Sequence, residues 1–245
     1  MIRSSAVVAP ARPTGAEPRA RSIPQPARAR ARARPGPRHL VVTAGPTREY
    51  VDPVRYLSNE SSGRMGFEIA RAAAARGFRV TLVTGPVHLE TPAGVRRVDV
   101  VSARDMLAAA RRAFLEADGL FMAAAVADWR PARRLAGKWR AKDGGRERAR
   151  IELVRNPDVL ATLARTKGDR LVVGFALETG DGERRALAKL RRKSLDYIVL
   201  NDDSALNASR TTVSILGKDG SVLQLEDRPK AAVARVLVGL AGKAS

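Results

Sequence analysis

From Leu40 onward, short apolar β-branched runs alternate with stretches of helical spacing, and this alternation constrains the chain more than any other feature. Strands buried on both faces and separated by helices are what a parallel sheet with helical crossovers requires. The pattern predicts strands at Leu40 to Ala44, Arg79 to Thr84, Val95 to Val101, Gly119 to Ala125, Leu171 to Leu177 and Asp196 to Leu200. The expected fold class is α/β, a three-layer, doubly wound, Rossmann-like and mostly parallel sheet. Thr211 to Leu216 and Ser221 to Leu225 alternate polar and apolar residues across Lys218-Asp219-Gly220. They predict a C-terminal β-hairpin extension, with a closing helix after Pro229.

Helix boundaries are marked by capping chemistry. A helix from Arg64 would place Met65, Ile69, Ala72 and Ala73 on one face and stop at Gly77. Ser102 with Asp105 reads as a capping box for a helix running to about Ala117. Asn156-Pro157-Asp158 reads as a helix start, with Asn156 as cap and Pro157 in the first turn, running to Thr166.

The charge is uneven. Residues 1–38 hold nine Arg, one Glu and seven of the fourteen Pro, hence +8 of the formal +20. Such a segment has too little apolar surface to offset its ordering entropy, so the expected organisation is an unordered tail over 1–38 and one domain over 39–245. A basic chain suits a polyanion: nucleic acid, an acidic membrane surface or a phosphorylated small molecule. With aromatic residues at 4% and no nucleic-acid-reading motif, nucleic acid is the disfavoured partner. The absence of Cys excludes thiolate metal sites and cysteine nucleophiles, and only His39 and His88 supply imidazole. No apolar run approaches the roughly 20 residues that span a bilayer, and no secretory signal stands at the start, so a cytoplasmic location is expected.

The chemistry should sit after the first strand. The connection from Gly45 to Gly63 is far longer than the usual βα loop of about 2 to 6 residues. It ends in Ser61-Ser62-Gly63-Arg64, which combines hydroxyls, glycine backbone and a cation at a helix N-terminus. That is a recipe for phosphate, though a Ser N-cap on a tight turn has the same signature. No Gly-x-Gly-x-x-Gly follows the first strand, and Thr84-Gly85-Pro86 lacks a ribose-binding acid, which disfavours a nicotinamide oxidoreductase. A strand of small residues, Ala123-Ala124-Ala125-Val126-Ala127, ends in Asp128 and would let a ligand approach backbone, or would only pack on a helix. Lys138 to Lys142 and Lys189 to Lys193 add cations; Lys189 and Lys193 share a helix face.

Together, Thr43-Ala44-Gly45-Pro46-Thr47-Arg48-Glu49, Asp52-Pro53-Val54-Arg55-Tyr56, Ser58-Asn59, Ser61-Ser62-Gly63, Ala124 to Asp128, Asn156-Pro157-Asp158, Gly174-Phe175-Ala176 and Asn201-Asp202 resemble the phosphopantothenoylcysteine synthetase family, from residue 39 to about 240. The resemblance implies a ligase of coenzyme A biosynthesis. CTP with Mg²⁺ would activate 4'-phosphopantothenate as an acyl cytidylate, releasing pyrophosphate, and the amine of L-cysteine would displace CMP.

By position, the resemblance makes Asn59 and Lys138 catalytic, Asn59 on the acyl intermediate and Lys138 in activation. It assigns the nucleotide to Ser61, Ser62, Gly63, Met122, Ala123, Ala124, Asp128, Lys138, Pro157, Asp158, Val159, Leu160, Phe175, Lys189 and Lys193. Arg55, Asn59, Ala124 and Ala125 would touch substrate. It further implies a homodimer, no flavin on this chain, and a separate decarboxylase, because the flavin domain that precedes many bacterial relatives has no counterpart in the arginine-rich residues 1–38. The relatives' Lys-Ile-Lys-Lys run stands here as Lys138-Trp139-Arg140-Ala141-Lys142, so Lys142 shares the candidacy of Lys138. Metal ligands are not legible in the motifs.

Overall fold

The structure, a computed structural model, describes residues 38–140, 149–177, 181–201 and 209–243. Lys142, Asp202 and residues 1–37 lie outside that set. Arg38, counted above with the tail, belongs to the folded body. Its carbonyl accepts from Arg79 N–H at 2.9 Å, and its guanidinium donates to Ala241 O and lies 5.8 Å over the Phe78 ring.

The long runs become the strands of one sheet. They are β1 (His39–Ala44), β4 (Arg79–Thr84), β5 (Val95–Asp99), β6 (Gly119–Met122), β9 (Leu171–Leu177) and β10 (Tyr197–Asn201). An antiparallel pair, β11 (Arg210–Gly217) and β12 (Val222–Pro229), extends the edge, so the eight strands lie in the order β12-β11-β10-β9-β6-β1-β4-β5. The six from β5 to β10 run parallel. Two short antiparallel ladders stand apart from this sheet: β2 (Arg48–Tyr50) with β3 (Tyr56–Ser58), and β7 (Trp129–Pro131) with β8 (Leu153–Arg155).

Alternation along β1 sets the layers. Leu40, Val42 and Ala44 face α1 (Arg64–Ala75) and α5 (Lys230–Lys243), in a core with Phe67, Ile69, Ala73, Val233 and Leu237. Val41 points the other way, toward α2 (Ala103–Phe114), α3 (Val159–Ala164) and α4 (Gly182–Arg192), among Met106, Phe114, Leu163 and Leu190. This is the three-layer, doubly wound arrangement that the periodicity predicts. Phe114, Phe121 and Leu163 are less than 2% exposed, and burying each such side chain contributes about 1.5–3 kcal/mol.

Several boundaries differ from the sequence reading. The buried face of α1 is Gly66, Phe67, Ile69, Ala70 and Ala73, rotated from the Met65–Ala72 stripe because Phe67 carries the larger apolar surface. Asp158, not Asn156, caps α3: its side chain accepts from Ala161 N–H at 2.9 Å, and the helix ends at Ala164. The Ser102/Asp105 capping box is present as expected, but α2 stops at Phe114. The sixth strand ends at Met122, because the backbone of Ala124 and Ala127 turns to the hydroxyls of Thr43 and Thr47 instead of a strand partner.

Candidate functional site

Strand order reverses between β1 and β6, and the connections leaving those two strands meet there. Pro46 pairs with Ala125, Ala125 N–H donates to Gly45 O at 2.9 Å, and Thr47 N–H donates to Ala125 O at 3.2 Å. Thr43 Oγ1 accepts from Ala124 N–H at 3.2 Å and Thr47 Oγ1 from Ala127 N–H at 3.0 Å. The two motifs richest in unusual residues are thus laced together, fixing the alanine segment where an open α/β sheet collects ligands.

Beside that segment lies a crevice of about 370 Å³ between α3 and the end of α4. It brings together Met122, Ala124, Asp128, Pro157, Asp158, Val159, Leu160, Phe175, Lys189 and Lys193. Trp129, Arg155, Asn156, Val126 and Ala127 line it as well, without having been singled out as ligand contacts from the sequence. Asn156 could have been found, since Nδ2 donates to Ala127 O at 2.9 Å and its backbone N–H to Asp128 O at 2.8 Å, a strap that a cap assignment hides. Arg155 carried no motif signal; its guanidinium lies 5.3 Å over the Trp129 ring.

The electrostatics of the crevice are paired. Lys193 Nζ lies 2.7 Å from Asp158 Oδ2, and Lys189 Nζ donates to Phe175 O at 2.7 Å. Burial pushes the Asp158 carboxyl up, but the Lys193 hydrogen bond, the Ala161 N–H and the charges of Lys193 and Lys189 outweigh it and hold it below the usual carboxylate value. Phosphate oxygens can replace the oxygens that Lys189 and Lys193 engage with charge-assisted bonds. Small Ala124 lets a ligand come close to this segment, and Val126, Leu160 and Phe175 give an apolar wall.

Other sequence candidates lie at or outside the rim. Asn59 Nδ2 donates to Val126 O at 3.1 Å, tying it to a lining residue. Ala123 and Ala125 belong to the laced segment but do not line the crevice. Lys138 is exposed on the stretch after β7, and Arg55 is ion-paired with Asp52 at 3.1 Å; neither lines the crevice.

Ser61, Ser62 and Gly63 are also outside it. The alternative serine cap is not formed: Gly63 is the N-cap of α1 at φ 75°, with no side-chain cap, and Ser61 Oγ accepts from Gly63 N–H at 3.3 Å. The glycines there answer backbone needs. A Cβ on Gly66 would stand 2.5 Å from Ala44 Cβ, so glycine lets α1 close on β1.

Asn201 ends β10 with Oδ1 buried and unpartnered among the described residues. A larger, more open hollow of about 490 Å³, lined by Arg48, Tyr50, Ser102, Asp105 and Arg134, contains none of the residues assigned to nucleotide or substrate from the sequence. Among the described residues no three His, Asp or Glu gather as a metal cluster. Asp128 and Asp158 still offer hard oxygen donors in the crevice, which fits a magnesium ion carried largely by substrate phosphates. No described helix is long and apolar enough to cross a membrane.

An open, doubly wound sheet with an alanine-walled crevice beside its switch point, lined by Lys189 and Lys193, is the arrangement in which α/β proteins collect ligands. The chain belongs to the family of the DNA/pantothenate metabolism flavoprotein C-terminal domain, whose model matches residues 36–243. It is 45% identical over 194 residues to the coenzyme A biosynthesis bifunctional protein CoaBC of Escherichia coli, covering 77% of this chain and 48% of that protein. The corresponding values for CoaBC of Bacillus subtilis are 42% over 193 residues, 77% and 47%. The chain therefore spans about half the length of these curated relatives.

A crystal structure of the C-terminal domain of CoaBC superposes with a TM-score of 0.73 at 39% identity, covering 85% of this chain and 96% of that one. A Cab2 mutant in complex with phosphopantothenate-cysteine superposes with a TM-score of 0.69 at 14% identity, covering 84% and 87%, a likeness of fold. The family that the sequence motifs resemble is thereby established.

Proposed function

We propose that this chain is a ligase of coenzyme A biosynthesis that joins 4'-phosphopantothenate to L-cysteine at the expense of CTP. The observation that carries the reading is the crevice in which Lys189 and Lys193 stand beside the alanine segment, with Asn59 bonded to its rim. Family membership and the CoaBC relatives support the pathway, and the ligand of the Cab2 complex is the product this reaction would form.

A carboxylate is a poor acyl donor, so one of its oxygens must first become part of a leaving group. The crevice would hold the CTP triphosphate on Lys189 and Lys193 and the base against Ala124, Leu160 and Phe175. The substrate carboxylate then attacks the α-phosphate, pyrophosphate departs, and Lys138 neutralises charge during that step. In the second half-reaction the cysteine amine attacks the acyl carbon, Asn59 donates a hydrogen bond to the carbonyl oxygen as it gains charge, and CMP leaves. Positioning and charge neutralisation supply most of the rate. Asp128 and Asp158 are the residues that would hold Mg²⁺, which supplies further neutralisation of phosphate charge.

A homodimer fits the surface. Val54, Tyr56, Trp129, Ile151 and Leu153 are each at least 40% exposed, and they lie on or beside the two small ladders, where β2 packs next to β7. A second copy would cover this apolar area. A cytoplasmic location and a separate decarboxylase supplying the next step complete the proposal.

The test mixes purified protein with 4'-phosphopantothenate, L-cysteine, Mg²⁺ and either CTP or ATP, following pyrophosphate by coupled assay and the amide product by mass spectrometry. Pyrophosphate release that requires phosphopantothenate and prefers CTP is expected. Absence of the amide product with either nucleotide would overturn the proposal.

A further inference from the structure

Asp52 is a fully buried carboxylate with donors from two distant parts of the chain. Its Oδ1 accepts from the backbone N–H groups of Val54 and Arg55, both at 2.7 Å, closing the 52–55 turn. Its Oδ2 accepts from Arg55 Nη1 at 3.1 Å and from the backbone N–H of Trp139 at 3.0 Å. A turn needs only the first set. The Trp139 contact reaches across 87 residues and is joined by a second tether, Leu135 N–H to Val51 O at 2.8 Å.

The places that these bonds connect are informative. Trp139 follows Lys138 directly, and the Asp52 turn leads through β3 into Asn59, which is bonded to the crevice rim. We propose that Asp52 is a positioning residue, whose Oδ2 holds the Lys138-bearing segment on the same turn that sets Asn59, so that both reach one substrate together. The inference rests on the roles given to Lys138 and Asn59 above. Burial pushes the Asp52 carboxyl up, but the backbone donors of Val54, Arg55 and Trp139, with the Arg55 charge, hold it below the usual carboxylate value, so the acceptor stays ionised at neutral pH.

The test compares the wild-type full chain with four variants of it. Asp52→Asn replaces an acceptor oxygen by a donor facing two donors, and Trp139→Pro deletes the single N–H while leaving the turn whole. Each should slow pyrophosphate release at saturating substrates on the order of 10- to 100-fold, with the CTP dissociation constant within about twofold of wild type. The double variant should be no slower than the worse single one. Asp52→Glu should recover part of the loss.

Incorporating 5-fluorotryptophan gives two fluorine resonances, for Trp129 and Trp139. Asp52→Asn should displace that of Trp139 and leave that of Trp129. Wild-type release rates in both single variants would overturn the proposal. So would a parallel fall in release, CTP affinity and the Trp129 resonance, which marks general loosening. Wild-type protein that releases no pyrophosphate would defeat the ligase reading instead, and an unmoved Trp139 resonance in Asp52→Asn would then defeat the tether separately.

Discussion

Lys193 Nζ stands 2.7 Å from Asp158 Oδ2 across the crevice, with Lys193 only 13% exposed in its side chain. Lys193 is therefore already neutralised by a carboxylate that also caps α3. On the proposed reading, a triphosphate reaching Lys193 would exchange one anion for another, leaving Asp158 beside the phosphates and open to a magnesium ion.

Lys193→Ala should weaken CTP binding at least tenfold, roughly the worth of one charge-assisted bond. Asp158→Asn keeps a capping side chain, so the fold should be retained. Without magnesium it should bind CTP more tightly than wild type, because Lys193 is released, and the advantage should vanish when magnesium is added. Titration calorimetry with and without magnesium reads both effects.

Asn59→Asp and Lys138→Ala should separate the two half-reactions. Asn59→Asp loses the donor to the acyl carbonyl and should let acyl cytidylate accumulate while amide formation falls on the order of 100-fold. Lys138→Ala should slow pyrophosphate release with little change in CTP affinity, since Lys138 does not line the crevice. Quenched-flow sampling with mass spectrometry distinguishes the two.

Gly66→Ala tests the α1–β1 contact. The added Cβ would meet Ala44 Cβ at 2.5 Å and Thr43 O at 2.9 Å, both on a buried central strand, so the helix must shift. A loss of about 1–3 kcal/mol in urea denaturation is expected, the usual cost of overpacking a filled core.

Asp196 anchors the opposite end of the sheet, with Lys167 Nζ at 2.7 Å, Lys218 Nζ at 2.6 Å and Val172 N–H at 2.9 Å. Burial raises its pKa, but the lysine hydrogen bonds and the Val172 N–H outweigh this and lower it overall. As pH falls, the unfolded chain takes up this proton first, near its ordinary value of about 3.9. The network's contribution is complete above that value and is lost as pH drops through the folded-state pKa. Asp196→Asn should flatten the acid limb of stability between pH 5 and 3, roughly that window, in urea midpoints. Asp196→Ala should cost roughly 2–3 kcal/mol at pH 7, below the usual cost of breaking a buried pair because Lys218 stays largely in water.

The sheet strands were legible as apolar runs, most of them rich in β-branched residues, and β1 is buried from end to end. The ladders β2/β3 and β7/β8 were not, since three residues cannot establish a period and Pro131 argues against a strand. Lys189 and Lys193 were legible as a pair by their spacing, and the structure brings both to the crevice. Arg155 was invisible, because its approach depends on the β7/β8 ladder and on stacking over Trp129. Ser61, Ser62 and Gly63 lie outside the crevice, and the glycine signature before α1 answers backbone conformation and close packing as well.

The most direct measurement is a crystal structure of the protein with CTP and magnesium. The triphosphate should lie within hydrogen-bond reach of Lys189 and Lys193, with the cytosine against Ala124 and Leu160. Density for the nucleotide at Ser61 to Gly63 or in the Arg48–Arg134 hollow, with the α3–α4 crevice empty, would contradict it.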